Sequence, residues 1–376
     1  MILTTCAACA APLAHNAPRC VRCWTRYCDS TCQHDHWRRG HKQMCKKIHR
    51  GGNAEQYNAD KKYKEAVAVA VEACADDVKG QTCYICTQAL HWKTKEGLVR
   101  MCACRGTAGF AHVSCLAEQA KILVAEAVEN NLGVDAIQAR WDRWNVCSLC
   151  KQDYHSVVKC ALGWGCWKTY LGRPEKNWCR RGAINQLGNG LIAANQHEDA
   201  LSVREAELSM LRRLGGTEEH ILFVQTNLAT TYRALGRLEE VMSLRQVVYS
   251  GFVKIYGDEH KESLREAYNY ASDLFAVRRF AEAKSLLRKT IPVARRVLGE
   301  SHEVTLKMRQ NYAAALCNDP GGATLDDIRK AVTTLEDTER IARRVFGGSH
   351  PETTALEKNL RNARAALRAR ETPLPV

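Results

Sequence analysis

The 376-residue sequence lacks any long apolar run. A membrane-spanning helix needs about 20 predominantly apolar residues, and the best candidate, Ala66 to Val71, is bounded by Lys64, Glu65 and Glu72. The amino terminus has neither the basic segment nor the continuous apolar segment of a secretory signal. We therefore expect a soluble chain without a membrane span that stays inside the cell, in the cytoplasm or the nucleus.

The sequence also lacks the local signatures of several enzyme classes. It has no glycine-rich loop of the nucleotide-phosphate type, no nucleophile elbow of the hydrolase type and no carboxylate pair that suggests acid–base chemistry. We therefore assign no catalytic residue and no organic cofactor, and the search for function turns to metal binding and protein interaction.

Cysteine is nearly absent from the second half of the chain and is concentrated in the first. Fourteen of the 19 cysteines, all of them within the first 150 residues, stand at spacings typical of metal ligands. The remaining five are Cys74, Cys160, Cys166, Cys179 and Cys317. Secreted disulfide scaffolds are short and rich in cysteine throughout, so this distribution favours an intracellular zinc protein.

The net charge of +14 would by itself suggest an acidic partner such as nucleic acid. Fourteen cysteine thiolates bound to four Zn²⁺ ions would reduce that charge to about +8. Paired arginines are scattered among acidic residues and do not form a phosphate-binding stripe. The sequence therefore argues against nucleic acid as the partner.

Eight metal ligands stand in four pairs within the first 45 residues. The pairs are Cys6 and Cys9, Cys20 and Cys23, Cys28 and Cys32, and His41 and Cys45. Two tetrahedral zinc sites require eight ligands. Because this segment is poor in aliphatic residues, metal binding would supply its folding free energy. His34 and His36 are alternatives to His41, which we favour because it lies four residues before Cys45 on one face of a helix.

These spacings, together with Tyr27-Cys28 and the run CQHDHWRRGHKQMC, resemble the MYND zinc finger. The resemblance implies that the pairs interleave. One ion would be held by Cys6, Cys9, Cys28 and Cys32, and the other by Cys20, Cys23, His41 and Cys45. MYND fingers dock peptides and carry no catalytic group, so the resemblance implies a binding role. Trp37 is either a docking aromatic or, as we favour, a packed side chain that supports the zinc-binding helix.

A second series of eight ligands follows a helix that is expected from Asp60 to Ala75. Its pairs are Cys83 and Cys86, Cys102 and Cys104, His112 and Cys115, and Cys147 and Cys150. With the run MCACRGTAGFAHVSCL at its centre and histidine in fifth place, the series is similar to the RING-CH (RING-variant) domain. The resemblance implies a cross-brace, with Cys83, Cys86, His112 and Cys115 at one ion and Cys102, Cys104, Cys147 and Cys150 at the other. The periodicity of Leu116–Val128 predicts a helix in the long last interval.

RING domains bind a ubiquitin-conjugating enzyme and hold its ubiquitin thioester in a reactive position, which is catalysis by positioning. By resemblance, Ile85 occupies the apolar docking position before the second ligand. Lys151 occupies the position after the last ligand, where a cation steadies ubiquitin. The tryptophan that often follows the sixth ligand is absent, and LAEQA stands there. The module is therefore either a ubiquitin ligase or a zinc-stabilised binding surface.

Internal repeats appear from about residue 175 onward. Asn227, Asn269 and Asn311 are 42 residues apart, and Asn359 follows after 48, where a turn-rich segment at 318–322 coincides with the six extra residues. Four helix pairs are predicted, at 175–214, 218–256, 260–298 and 302–346, with a capping helix at about 350–370. The pattern resembles tetratricopeptide repeats of the kinesin-light-chain type, which implies a solenoid with a concave groove.

The four asparagines would recur on that groove. A side-chain amide both donates and accepts hydrogen bonds, so a ladder of amides suits the backbone of an extended peptide. Arg265 and Lys307 lie one helical turn away and would favour an acidic peptide. The alternative is that each asparagine braces its own repeat by bonding a neighbouring group.

Two further local patterns concern helix ends and buried thiols. The G-x-x-H motifs that end in His260, His302 and His350 are interpreted as helix stops and not as a metal site. The segment 151–174 is expected to form a connecting helix. Cys160 and Cys166 fall on different faces of it and are interpreted as small buried apolar residues.

The sequence thus predicts a mainly α fold, with two small cross-braced zinc modules followed by an α-solenoid. The expected divisions are 1–50 (MYND-type finger), 51–80 (helical linker), 81–152 (RING-CH-type finger), 153–174 (connecting helix), 175–370 (repeat solenoid) and 371–376 (tail). The leading hypothesis is a RING-CH ubiquitin ligase with four zinc ions, whose solenoid and MYND finger recruit protein substrates. The alternative is a non-enzymatic scaffold that joins protein partners.

Overall fold

The computed structural model of the protein describes residues 5–14, 16–318, 323–348 and 350–371. These residues form α-helices joined by turns and by two longer irregular segments, before Ser30 and between Ala73 and Val113, and their extended backbone is limited to isolated β-bridges. The mainly α fold expected from the sequence is confirmed. Most of the turn-rich segment at 318–322, and the tail beyond Glu371, lie outside the described residues.

The helices follow the chain in a regular order. They are α1 (Ser30–His36), α2 (Lys42–Arg50), α3 (Ala54–Ala73), α4 (Val113–Glu129), α5 (Val134–Trp141), α6 (Ser156–Tyr170), α7 (Trp178–Ala193), α8 (His197–Arg213), α9 (Glu218–Ala234), α10 (Leu238–Tyr256), α11 (Lys261–Ala276), α12 (Phe280–Val297), α13 (Glu303–Cys317), α14 (Leu325–Phe346) and α15 (Pro351–Glu371). A π-helical turn, Trp37–His41, joins α1 to α2, and a 3-10 turn, Asp142–Trp144, follows α5.

Polar side chains fix where several helices begin. Asn53 accepts a hydrogen bond from the Gln56 N–H, so α3 starts earlier than the lysine-rich stretch that predicted it. Asn177 caps α7 and Thr217 caps α9 in the same way. Thr324 forms a capping box with Asp327 at the start of α14.

The chain divides into two compact units, 1–216 and 217–376. The first unit contains both cysteine-rich modules and the helices α3 to α8. Its main apolar cluster joins Val99, Phe110 and Leu116 to Leu187 of α7 and Ala200 of α8. The first three belong to the second cysteine-rich module, residues 81–152, which we call the RING-like module. The first predicted helix pair, 175–214, therefore shares a core with the RING-like module.

Helix α6 lies at the centre of the first unit, packed against α3, α4 and α7. Most of its side chains are buried, including Cys160 and Cys166, because neighbours cover it on several sides. Two glycines bring α6 and α7 together: a Cβ on Gly163 would lie 2.9 Å from the Gln186 carbonyl oxygen, and one on Gly190 would lie 2.8 Å from the Lys159 carbonyl oxygen. The close approach of these helices depends on both glycines.

The second unit consists of the helix pairs α9–α10, α11–α12 and α13–α14, with α15 packed on α14. Ala229, Ala271 and Ala313 recur at 42-residue intervals and are fully buried. Small residues at these positions let successive helices approach closely. A buried ionic network also joins α10 to α11, since Arg245 donates to Asp273 at 2.7 Å and to Glu266 at 3.1 Å.

In the G-x-x-H motifs the glycine and the histidine have different roles. The interpretation of the histidines as helix stops is therefore corrected. Gly257 and Gly347 end α10 and α14 with φ of 82° and 89°. The histidines instead cap the helix that follows. Nδ1 accepts the backbone N–H two residues later at 3.2–3.3 Å in His260, His302 and His350. Each motif therefore starts a new helix as well as ending one.

Candidate metal centres and docking surfaces

Four C-x-x-C segments adopt one backbone conformation. In each, the N–H of the first cysteine donates to the carbonyl five residues later, and its carbonyl accepts the N–H of the residue after the second cysteine. That residue is left-handed in every case, with φ between 59° and 63°, and the four are Ala10, Trp24, Thr87 and Lys151. The shared turn directs both thiols of a pair toward the same side.

The sixteen predicted ligands meet in four groups, and the groups are the pairings that the two resemblances implied. They are Cys6, Cys9, Cys28 and Cys32; Cys20, Cys23, His41 and Cys45; Cys83, Cys86, His112 and Cys115; and Cys102, Cys104, Cys147 and Cys150. Within each group the ligand atoms lie within 4.8 Å of one another.

The spacing of these atoms fits a tetrahedral zinc ion. With Zn–S bonds near 2.3 Å, two thiolate sulfurs on one ion should be about 3.8 Å apart, and a sulfur and an imidazole nitrogen about 3.6 Å. The Sγ atoms of Cys20 and Cys45 are 3.7 Å apart, and those of Cys104 and Cys147 are 3.8 Å apart. His112 Nδ1 lies 3.5 Å from Cys115 Sγ. Both the donor chemistry and the geometry therefore suit zinc.

The two histidines present different nitrogens. His112 directs Nδ1 to its group, and its Nε2 lies 3.3 Å from the Ala89 carbonyl oxygen, which fixes the ring orientation. His41 directs Nε2, which lies 3.3 Å from Cys23 Sγ. Of the two alternatives to His41, His34 is exposed, while His36 bonds Tyr27 through Nδ1 at 3.0 Å. The structure thus brings His41, and neither alternative, to the cysteines.

The backbone around His41 differs from the single helix that the sequence predicted. The π-helical turn ends at His41, and Gly40 within it has φ of 121°. Trp37 packs edge-on against His41 with ring centroids 5.9 Å apart and remains 41% exposed. It therefore supports the ligand on one side and faces solvent on the other.

The thiols of one group differ in acidity. Burial alone would raise the pKa of Cys150, but hydrogen bonds from the Gln152 backbone and from Cys104 lower it to about 7. Burial, together with hydrogen bonds to Cys150 and Cys147, raises the pKa of Cys104 in the same group to about 11. One thiolate therefore forms readily in a group while its neighbours resist ionisation, because like charges at this distance repel. A divalent cation would remove that repulsion.

The predicted docking residues lie on the first and last turns of the RING-like module. Ile85 is half-buried against the main apolar cluster of the first unit. Lys151 is exposed, and its Nζ donates to the Ser148 carbonyl at 2.6 Å. The hydroxyl groups of Tyr84 and Ser148 lie 3.0 Å apart and join the two turns. Leu149, beside them, is an exposed apolar side chain.

Two of the four predicted groove asparagines, Asn269 and Asn311, have side-chain partners within the second unit. Asn227, Asn269, Asn311 and Asn359 are all half-buried. The Asn269 amide donates to Glu266, and the Asn311 amide donates to Ser272 of the preceding repeat at 2.6 Å.

The two groove cations are also paired. Arg265 forms an ion pair with Glu262 at 2.5 Å, and Lys307 forms ion pairs with Glu303 and Glu352 at 2.6 and 3.1 Å. These contacts favour a bracing role, because an acidic peptide would have to compete with the carboxylates already present.

A fifth turn of the C-x-x-C type went unpredicted because it contains no cysteine. In this turn the His91 N–H donates to the Glu96 carbonyl, and the Lys95 N–H donates to the His91 carbonyl. Lys95 is left-handed, with φ of 60°. His91 and Thr94 stand where the two cysteines would be. The Thr94 N–H donates to His91 Nδ1 at 3.1 Å, so a hydrogen bond closes the turn.

Comparison with known proteins identifies two segments. A RING-variant domain model matches residues 83–130, and a tetratricopeptide repeat model matches residues 268–303. Residues 6–45 lie outside both matches. No curated protein matches the chain.

Among solved structures, the chain is similar to a protein of Podosopora anserina described as a kinesin light chain with nearly identical TPR-like repeats. The identity is 22% over 53% of this chain and 90% of that one, with a TM-score of 0.44. It is also similar to BtubC (BKLC) from P. vanneervenii, at 13% identity over 70% of this chain and 93% of that one, with a TM-score of 0.41. In the part of the chain that the structure describes, none of the helices is both long and apolar enough to cross a membrane.

Proposed function

We propose that the protein is a zinc-binding ubiquitin ligase of the RING-CH type, and that its repeats and its MYND-like finger recruit protein substrates. The observation that carries the proposal is the cross-braced pair of Cys/His groups between Cys83 and Cys150, in a segment that a RING-variant model matches over residues 83–130. Each of the four groups in the chain would hold one zinc ion through its three or four thiolates and, in two groups, one imidazole.

The ligase would act by positioning and not by covalent chemistry. Ile85 would contact the conjugating enzyme through its apolar side chain, with the exposed Leu149 beside it. The hydrogen bond between Tyr84 and Ser148 supports this role, because it holds the first and last turns in one fixed relationship. Lys151 would steady the ubiquitin that the enzyme carries. Holding a thioester in a reactive orientation removes much of the entropic part of the barrier.

Substrate recruitment would fall to the remaining modules, with the division of the chain predicted from the sequence. The finger in residues 1–50 and the repeats in residues 175–370 carry no cluster that suggests chemistry of their own among the described residues. Tetratricopeptide repeats support the recruitment of extended peptides, and a peptide in the groove would bond the amides of Asn227, Asn269, Asn311 and Asn359. An acidic peptide would have to displace Glu262 from Arg265 and Glu303 from Lys307.

An autoubiquitination assay with a panel of conjugating enzymes tests the proposal. The zinc-loaded wild-type chain should form ubiquitin conjugates with at least one enzyme. Ile85→Ala should abolish the transfer while zinc content stays at the wild-type value, since Ile85 contributes no metal ligand. Wild-type protein that stays folded and fully metallated but transfers no ubiquitin with any enzyme would refute the ligase function.

The alternative is a non-enzymatic scaffold that joins protein partners through its zinc modules and repeats. One observation favours it: after Cys115, helix α4 presents Ala117, Glu118 and Gln119 in place of the tryptophan that often contacts the conjugating enzyme. The same assay separates the two functions, because a scaffold would bind partners without forming conjugates.

A further inference from the structure

The fifth turn (residues 91–95) is held more firmly than an ordinary surface loop. The Thr94 hydroxyl lies 2.8 Å from His91 Nδ1 and 3.1 Å from Glu96 Oε2. Glu96 in turn accepts the Ser114 N–H at 2.7 Å and the Ser114 hydroxyl at 2.8 Å, at the start of α4. His91 is 8% exposed and packs edge-on against His112, with ring centroids 5.3 Å apart. The turn is thereby fixed both to a predicted zinc ligand and to a helix.

The tip of this rigid turn exposes a large apolar surface. Trp92 is 69% exposed and Leu90 is 59% exposed. Residues 83–150 are all described, and within them the other two tryptophans, Trp141 and Trp144, are buried. An exposed indole on an ordered turn does not contribute to folding the free energy that its burial in the core would supply. Tryptophan is also among the residues most enriched at the energetic centres of protein interfaces.

The position of the turn indicates what covers it. The first C-x-x-C turn, which carries Ile85, contacts His112 through Cys86, whose Sγ lies 3.4 Å from His112 Nδ1. The fifth turn contacts the same histidine through the ring of His91. Ile85 and Trp92 therefore lie on two turns that share one anchor. Lys93 and Lys95 belong to the same turn and are exposed, so the surface suits a partner with carboxylates beside an apolar pocket.

We propose that Trp92 is a second docking anchor for the ubiquitin-conjugating enzyme, and that it supplies the aromatic contact that α4 lacks after Cys115. This inference rests on the proposed ligase function. Because the turn is already fixed by His91, Thr94 and Glu96, the indole loses little conformational freedom on binding, which favours affinity.

The test is a titration of isotope-labelled conjugating enzymes from a panel with the zinc-loaded full-length chain, followed by nuclear magnetic resonance. Trp92→Ala should raise the dissociation constant by about 10-fold or more, as truncation of an interface anchor does. Trp92→Phe should recover most of the affinity. Val21→Ala is the matched control, since Val21 is 93% exposed on a turn of the same type in the other zinc module. It should leave the affinity within about 2-fold of wild type.

The outcomes separate this inference from the ligase function. Equal affinities for Trp92→Ala and Val21→Ala, with an enzyme that still requires Ile85, would overturn the role of Trp92 and leave the ligase function standing. A panel in which no enzyme binds the wild-type chain would overturn both. Zinc content measured on each variant should match wild type, because neither Trp92 nor Val21 is a ligand.

Discussion

The hydroxyl groups of Tyr84 and Ser148 lie 3.0 Å apart and connect two turns that are 64 residues apart in sequence. Tyr84 precedes Ile85 on the first turn of the RING-like module, and Ser148 precedes Leu149 on the last. The hydrogen bond therefore spans the two turns that we assign to the conjugating enzyme. Cross-bracing alone places each turn at a different metal group, so this bond is a direct link between them.

Removing that link should weaken ubiquitin transfer without releasing metal. We expect Tyr84→Phe and Ser148→Ala each to lower the transfer rate several-fold and to cost about 1 kcal/mol of stability, the usual net value of one hydrogen bond. The double variant should be no worse than either single one, because both remove the same bond. Conjugation rates and chemical unfolding of the three variants measure this, and additive losses would contradict it.

The chain should bind four zinc ions, one for each ligand group. Elemental analysis of protein purified without chelator gives the stoichiometry, and two ions or fewer would remove one module from the interpretation. His112→Ala should release one ion and unfold the RING-like module locally, since a structural zinc site has no spare ligand. His155→Ala is the matched control because His155 is exposed and belongs to none of the four groups, so it should retain all four ions.

Chelation of zinc should affect the two compact units differently. Removing zinc should expose the backbone of the cysteine-rich modules and also that of α6 to α8, because these helices share an apolar cluster with the RING-like module. Helices α9 to α15 belong to the other unit and should keep their protection. Hydrogen exchange with and without chelator resolves each helix. Loss of protection throughout residues 217–371 would show that the repeats also depend on zinc.

The histidine caps should contribute measurably to the stability of the repeats. His302→Ala removes the acceptor for the Val304 N–H and should cost about 1 kcal/mol, as the loss of a helix cap usually does. His302→Asn should recover most of that loss, because asparagine is a favourable capping residue. Urea unfolding of the second unit's helices distinguishes the variants. A cost that is the same for alanine and asparagine would contradict the capping role.

The sequence predicted those features that a repeated spacing encodes. The spacing of the cysteines and histidines predicted the ligand pairs, and the resemblances to MYND and RING-CH domains implied how those pairs combine into the four groups. The 42-residue period predicted the helix pairs of the repeats, since glycines such as Gly257 and Gly347 recur in register with them.

Features without a repeated spacing were not predicted. The fifth turn has His91 and Thr94 in place of cysteines, so no ligand pattern identifies it, although its backbone bonds match those of the other four turns. The capping role of His260 depends on which helix its Nδ1 faces, which spacing does not reveal. The core shared by the RING-like module and α6 to α8 arises from long-range packing. Its only local signal was the concentration of tryptophans between Trp141 and Trp178.

That shared core has a consequence during synthesis. The last predicted zinc ligand, Cys150, leaves the ribosome before α6, α7 and α8 have emerged. The RING-like module could therefore load metal while the helices that complete its apolar core are still absent from it. At 5–20 residues per second, residues 151–216 take on the order of 3 to 13 s to emerge. For that interval the nascent module would present apolar surface that the finished protein hides, which makes this the stage at which a chaperone would be most useful.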